Sequence, residues 1–163
     1  MREILFRGKR VDNGEWVYGF LVEALNCVTD KNETFIIEQN ATYFTYGEFA
    51  CAVEVKPETV GQSTGMKDDQ DVKIFEGDIV NVHYNDDTSY LTEVRADGNT
   101  LCVDVDDDFD DYNFTAIDFA IERWREDGCE LRVVSNIYDK DKAADASLEF
   151  LKAANVFSEY HNF

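Results

Sequence analysis

Residues 57–80, PETVGQSTGMKDDQDVKIFEGDIV, decide how the rest of the chain is read. They hold three of the nine glycines, Gly61, Gly65 and Gly77, each where a strand has to bend or stop, because glycine reaches positive φ at little cost. Asp68-Asp69-Gln70-Asp71 is a polar tetrad ahead of Val72-Lys73-Ile74-Phe75, the pattern of a turn feeding a short strand. Glu76-Gly77-Asp78 then turns the chain into Ile79-Val80-Asn81-Val82, a second strand. Two short strands joined at a Gly-Asp turn make the tight corner of a small SH3-like barrel. The stretch reads as architecture: its Gly61–Gly65 run lacks the lysine and following helix of a phosphate cradle.

Outward from this corner, apolar alternation continues on both sides. Residues 3–7 alternate around Ile4 and Phe6, Asp12-Asn13-Gly14 is a hairpin turn, and residues 15–25 return with Trp16, Tyr18, Phe20 and Val22 on one face. Residues 33–38 and 41–46 form a second hairpin, and 48–55 add a strand. Downstream, residues 79–84 pair with 89–96, and Asp97-Gly98-Asn99 turns into a strand at 100–105. Thr115 caps a helix near 116–127, with Asp118 in the capping-box position, Ile117, Ala120, Ile121 and Trp124 at helical spacing and Gly128 as its stop. A last strand covers 130–137, and an apolar stripe of Ala146, Phe150, Ala153 and Phe157 marks a C-terminal helix near 141–160. The expected fold is mainly β, a β-rich α+β chain: a small SH3-like barrel or a curled antiparallel sheet, with residues 1–140 as the β domain and 141–163 as a helical extension.

Three parts of this pattern resemble the YopX family of phage and prophage proteins. They are the glycine-punctuated run ending in Glu76-Gly77-Asp78, the opening MREILFRGKRVDNGEWVYGF, and the closing strand LRVVSNIYD at 131–139. Gln70-Asp71 stands where the family usually carries an Asn-Gly type turn. The resemblance implies a small phage or prophage protein with no assigned enzymatic activity, acting in the cytoplasm of the infected or lysogenic cell.

Composition narrows the function classes. With 35 acidic against 15 basic residues the formal net charge is −20, which disfavours direct nucleic-acid binding because phosphate affinity is carried by Lys and Arg. A host or phage protein with a basic surface is the electrostatic complement, and solubility alone is the competing reason for the acid. No apolar run nears the roughly 20 residues of a membrane span, and Met1-Arg2-Glu3 does not open a signal peptide. The four cysteines, at 27, 51, 102 and 129, form no CxxC pair and read as buried free thiols.

Residues 104–111, DVDDDFDD, carry Asp104, Asp106, Asp107, Asp108, Asp110 and Asp111. Counted as an EF-hand from Asp104, the run puts Phe109 at the glycine position and Thr115 at the bidentate-glutamate position, so no metal is assigned. The reading is an acidic patch offered to a basic partner, including a nucleic-acid mimic aimed at a defence protein. The alternative is a pocket for a nucleotide-like small ligand lined by Trp16, Tyr18, Tyr43 and Phe44, with Arg2, Arg7, Lys9 and Arg10 as the one basic cluster; against it, Trp16 reads as a cross-strand packing aromatic. A third reading is a homo-oligomer built through the C-terminal helix. No catalytic residue is assigned: His83 and His161 have no nucleophile at a recognisable spacing, and no GxSxG, Walker or HExxH motif occurs. The chain is therefore read as a non-enzymatic accessory protein without a cofactor.

Overall fold

The computed structural model describes residues 4–39, 52–84, 88–104 and 114–139. The expected strand at 41–46, Tyr43 and Phe44, the acidic run beyond Asp104, and the helix near 141–160 lie outside the described residues. Two compact units are built from the chain, one from the part up to Met66 with Lys73–Glu76, the other from Lys67–Val72 and from Gly77 onward.

The first unit contains β1 (Phe6–Lys9), β2 (Trp16–Asn26), β3 (Lys31–Glu38), β4 (Ala52–Glu54), a 3-10 turn at Pro57–Thr59, β5 (Gly61–Lys67) and β6 (Lys73–Phe75). They form one sheet in the order β4-β3-β2-β1-β5-β6. Asp12-Asn13-Gly14 makes the β1–β2 turn, with Gly14 at φ 74, and sets the register that puts Arg7 opposite Tyr18 and Lys9 opposite Trp16. Alternation then sends Val17 and Ile36 to one face, where they bury with Val55 and are flanked by Phe6, Leu21, Val53 and Val60. Each such side chain contributes about 1.5–3 kcal/mol through burial. Trp16, Tyr18 and Phe20 share the opposite face, with Tyr18 and Phe20 exposed.

The second unit contains β7 (Asp78–His83), β8 (Ser89–Glu93), β9 (Arg95–Asp97), β10 (Thr100–Asp104), β11 (Phe114–Ala116), α1 (Ile117–Glu126) and β12 (Glu130–Asn136). Its strands pair as β12-β7-β8 and as β11-β10-β9. Ile117, Ala120, Ile121 and Trp124 are buried along one stripe of α1, and Val80, Val82, Val94, Val103 and Leu131 are buried with almost no exposure in the same unit. Gly128, at φ 76, stops the helix, and Cys129 N–H donates to the Trp124 carbonyl in a C-capping bond of 2.8 Å.

The chain is mainly β with one short helix among the described residues, as the pattern required. The strands lie in open antiparallel sheets, and no barrel closes among the described residues. Four details differ from expectation. Gly61 and Gly65, expected where a strand bends or stops, both belong to β5, which continues through Gly65 at φ 77. A Cβ at Gly61 would stand 2.6 Å from the Glu76 carbonyl oxygen, so that glycine serves close approach of two backbones. The strand expected at 89–96 breaks at Val94, whose N–H donates to Asp78 O and whose carbonyl accepts from Gly77 N, at 2.9 and 2.8 Å. Thr115 lies within β11 and Ala116 takes the N-cap position without a side-chain cap, because pairing of Thr115 with Val103 holds that residue extended.

Candidate functional site

Four places carry chemistry-bearing side chains, and the signature corner comes first. Arg7 is buried, with its guanidinium carbon 4.7 Å from the centre of the Trp16 ring and 5.1 Å from that of Phe75. Its Nη2 donates to the Glu76 carbonyl at 3.0 Å, so the cation fixes the turn that Gly77 closes at φ 81. Lys9 Nζ lies 5.3 Å from the Trp16 ring, and Tyr18 packs tilted on Phe75 at 5.5 Å. Trp16 and Tyr18, both proposed pocket residues, thus share one face with two of the four basic-cluster residues. Trp16 is engaged in packing, and Tyr43 and Phe44 lie outside the described residues. Arg10 pairs with Asp12 at the surface, which raises the affinity of the guanidinium for its proton and holds the Asp12 carboxyl below its ordinary range, chiefly through their hydrogen bond.

The polar tetrad is a clamp within the second unit. Asp68 is buried; its Oδ1 accepts from Gln70 N and Val72 N at 2.9 and 2.8 Å, and its Oδ2 accepts from Val133 N at 2.9 Å. Asp69 Oδ2 accepts from Leu131 N at 2.7 Å, while Asp69 N donates back to the Leu131 carbonyl at 3.1 Å. β12 pairs with β7 along one edge, so these carboxylates satisfy the backbone groups of its other edge. Asp71 takes φ 66, the left-handed conformation that an Asn-Gly turn supplies with glycine.

The acidic face is the third place. Asp104 ends β10 opposite Phe114 of β11, and α1 follows directly on β11. Asp104 is the described member of the predicted patch. Its carboxylate pairs with Arg95, and its backbone is tied to Thr92, whose Oγ1 accepts from Asp104 N at 3.1 Å and donates to Asp104 O at 2.9 Å. Sequence reasoning took Asp118 only as a capping residue and did not single out Glu122 or Glu126. Asp118, Glu122 and Glu126 are exposed at intervals of four residues and therefore share one stripe of the helix. Like charges at this spacing cost about 0.2–0.5 kcal/mol per pair. Burial, and after it the charges of Asp97 and Asp118, raise the Cys102 thiol above its ordinary range. The interval of four charged positions was the available signal; the Asp97 contribution depends on tertiary packing.

The fourth place is a shallow cavity of about 240 Å³ on the β7–β12 pair, lined by Asn81, His83, Glu130 and Arg132. Register sets Asn81 opposite Arg132 and His83 opposite Glu130. Arg132 Nη2 and Glu130 Oε2 are 3.4 Å apart. Asn81 Oδ1 is buried with no hydrogen-bond partner among the described residues, an arrangement costing about 1–3 kcal/mol.

Among the described residues no group of three or more His, Cys, Asp or Glu is arranged to hold a metal. Cys102 and Cys129 are buried free thiols, whereas Cys27, also expected to be buried, is exposed in the β2–β3 turn. No helix among the described residues is long and apolar enough to cross a membrane. The sequence model of the family described as YopX protein matches residues 5–142. No curated protein and no solved structure matches the chain.

Proposed function

Because the chain belongs to the YopX family, we propose that it is a non-enzymatic phage or prophage accessory protein that binds a basic macromolecular surface through its acidic face. The observation that carries this reading is the exposed stripe of Asp118, Glu122 and Glu126 on α1, which follows in sequence the acidic run that begins at Asp104. Carboxylates of this kind accept hydrogen bonds and attract Lys and Arg, and the net charge of −20 steers a basic partner from a distance. Successive carboxylates on the helix rise about 6 Å. Adjacent phosphates of a DNA strand rise only about 3.4 Å but also turn about the axis, which brings their through-space separation close to that of the carboxylates, so the stripe fits a surface that ordinarily holds a phosphate backbone. The partner class is therefore a nucleic-acid-binding protein of host or phage in the cytoplasm of the infected cell, and the biological outcome is interference with a defence system.

Affinity capture with the tagged protein from nuclease-treated lysate of infected cells tests this. Basic, nucleic-acid-binding proteins should be retained near about 50 mM salt, released near about 500 mM, and displaced by added duplex DNA. A retained partner with an acidic or neutral surface, or retention indifferent to salt, contradicts the reading.

A further inference from the structure

Ile117, Ala120, Ile121 and Trp124 form the buried stripe of α1, and at about 100° per residue Phe119 falls on the far side of the helix from it. There it is 61% exposed, more than any other large apolar side chain described in the second unit, so the packing of that unit gives no account of it. Carboxylates surround it. Asp118 precedes it and accepts its backbone N–H at 3.0 Å, Glu122 lies three positions on, and Glu126 lies two turns on. Arg123, four positions on, stands on the flank toward Ala120. Charge alone serves a complex poorly: complementary charges speed the encounter, whereas an exposed ion pair holds little once formed. Long residence comes from a buried apolar anchor, commonly aromatic, kept from water by a ring of surrounding contacts.

We propose that Phe119 is the anchor of the acidic face and that the partner meets it with an apolar socket rimmed by Lys or Arg. This anchoring rests on the acidic-face reading and narrows its partner. A groove lined with Lys and Arg alone would press Phe119 against hydrated charges and gain nothing from covering it. A socket instead removes the ring from water while its rim reaches Asp118, Glu122 and Glu126. The helix docks by its solvent face, with its buried stripe left in place against its own unit.

Calorimetric titration of the full chain at about 50 mM salt with two synthetic peptides of equal charge tests this: one of lysine and serine, the other with leucines in place of the serines. The lysine–leucine peptide should bind the parent at least about tenfold more tightly than the lysine–serine peptide, and that margin should vanish in Phe119→Ser and persist in Phe119→Leu. Phe119→Ser should keep the parent's unfolding midpoint, since it changes a solvent-facing position. Phe20→Ser, at an exposed aromatic of the first unit, should leave the margin intact. Binding of both peptides with no margin, a margin that survives Phe119→Ser, or one lost in Phe20→Ser overturns the anchor and leaves the acidic face standing. No binding of either peptide, or equal binding of both by a chain carrying Asp118→Asn, Glu122→Gln and Glu126→Gln as by the parent, removes the acidic-face reading and the anchor with it.

Discussion

Asp68 Oδ2 accepts the backbone N–H of Val133 at 2.9 Å, a bond between residues 65 positions apart. With Asp69 on Leu131, it makes the polar tetrad of the signature the second edge partner of β12. Asp68→Ala leaves the N–H groups of Gln70, Val72 and Val133 without their side-chain acceptor. Since a hydrogen bond to a charged group contributes about 1.5–3 kcal/mol, the variant should lose at least ~3 kcal/mol of stability. Urea unfolding measures this, and amide hydrogen exchange at Val133 should accelerate in parallel.

Asp71 stands at φ 66, and its carboxylate pairs with Lys67 at the surface. Asp71→Gly relieves the left-handed backbone and removes only an exposed ion pair, so its stability should stay within ~1 kcal/mol of the parent. Asp71→Val, with a branched side chain at the same φ, should cost about 1–2 kcal/mol or more. Urea midpoints of the two variants give the comparison, and equal midpoints would exclude the conformational account of this turn.

Gly61→Ala places a methyl 2.6 Å from the Glu76 carbonyl oxygen, and backbone cannot swing away as a side-chain tip can. The same carbonyl accepts from Arg7, so the shift should loosen the signature corner at a cost of roughly 2 kcal/mol or more. A denaturation midpoint unchanged from the parent would show that the two strands have room to separate.

Much of this fold was legible because it is local. Asp12-Asn13-Gly14 announces a hairpin, and Ile117, Ala120, Ile121 and Trp124 announce a buried helical stripe, since each signal lies within one turn of chain. The Asp68–Val133 bond and the break at Val94 were not legible, because their partners come from distant strands. The Asn81–Arg132 pairing depends likewise on the β7–β12 register and its irregularity between Val133 and Ser135. Thr115 misled for the opposite reason: a sound local capping signal yielded to strand pairing with Val103. The acidic run was visible at once, whereas its extension to α1 required knowing which helix positions are exposed.

The described cysteines should separate by reactivity. Cys27 is exposed, whereas Cys102 is buried and its thiol is pushed up by that burial and by Asp97 and Asp118, which suppresses the reactive thiolate at neutral pH. A thiol reagent at pH 7 should label Cys27 in the native protein and Cys102 only on unfolding, read by peptide mass spectrometry. Labelling of Cys102 in the native protein should stay suppressed as pH rises through the ordinary thiol range.

The central claim is that the acidic face is the binding surface. It is tested most directly by repeating the affinity capture with two neutralised proteins. One carries asparagine at Asp104, Asp106, Asp107, Asp108, Asp110 and Asp111; the other carries Asp118→Asn, Glu122→Gln and Glu126→Gln. Both should keep the parent's circular dichroism and unfolding midpoint, because the Asp104–Arg95 pair is exposed and the like charges of α1 repel, and both should lose the basic partner or hold it at least about tenfold more weakly. Full retention of the partner by both variants would contradict the account.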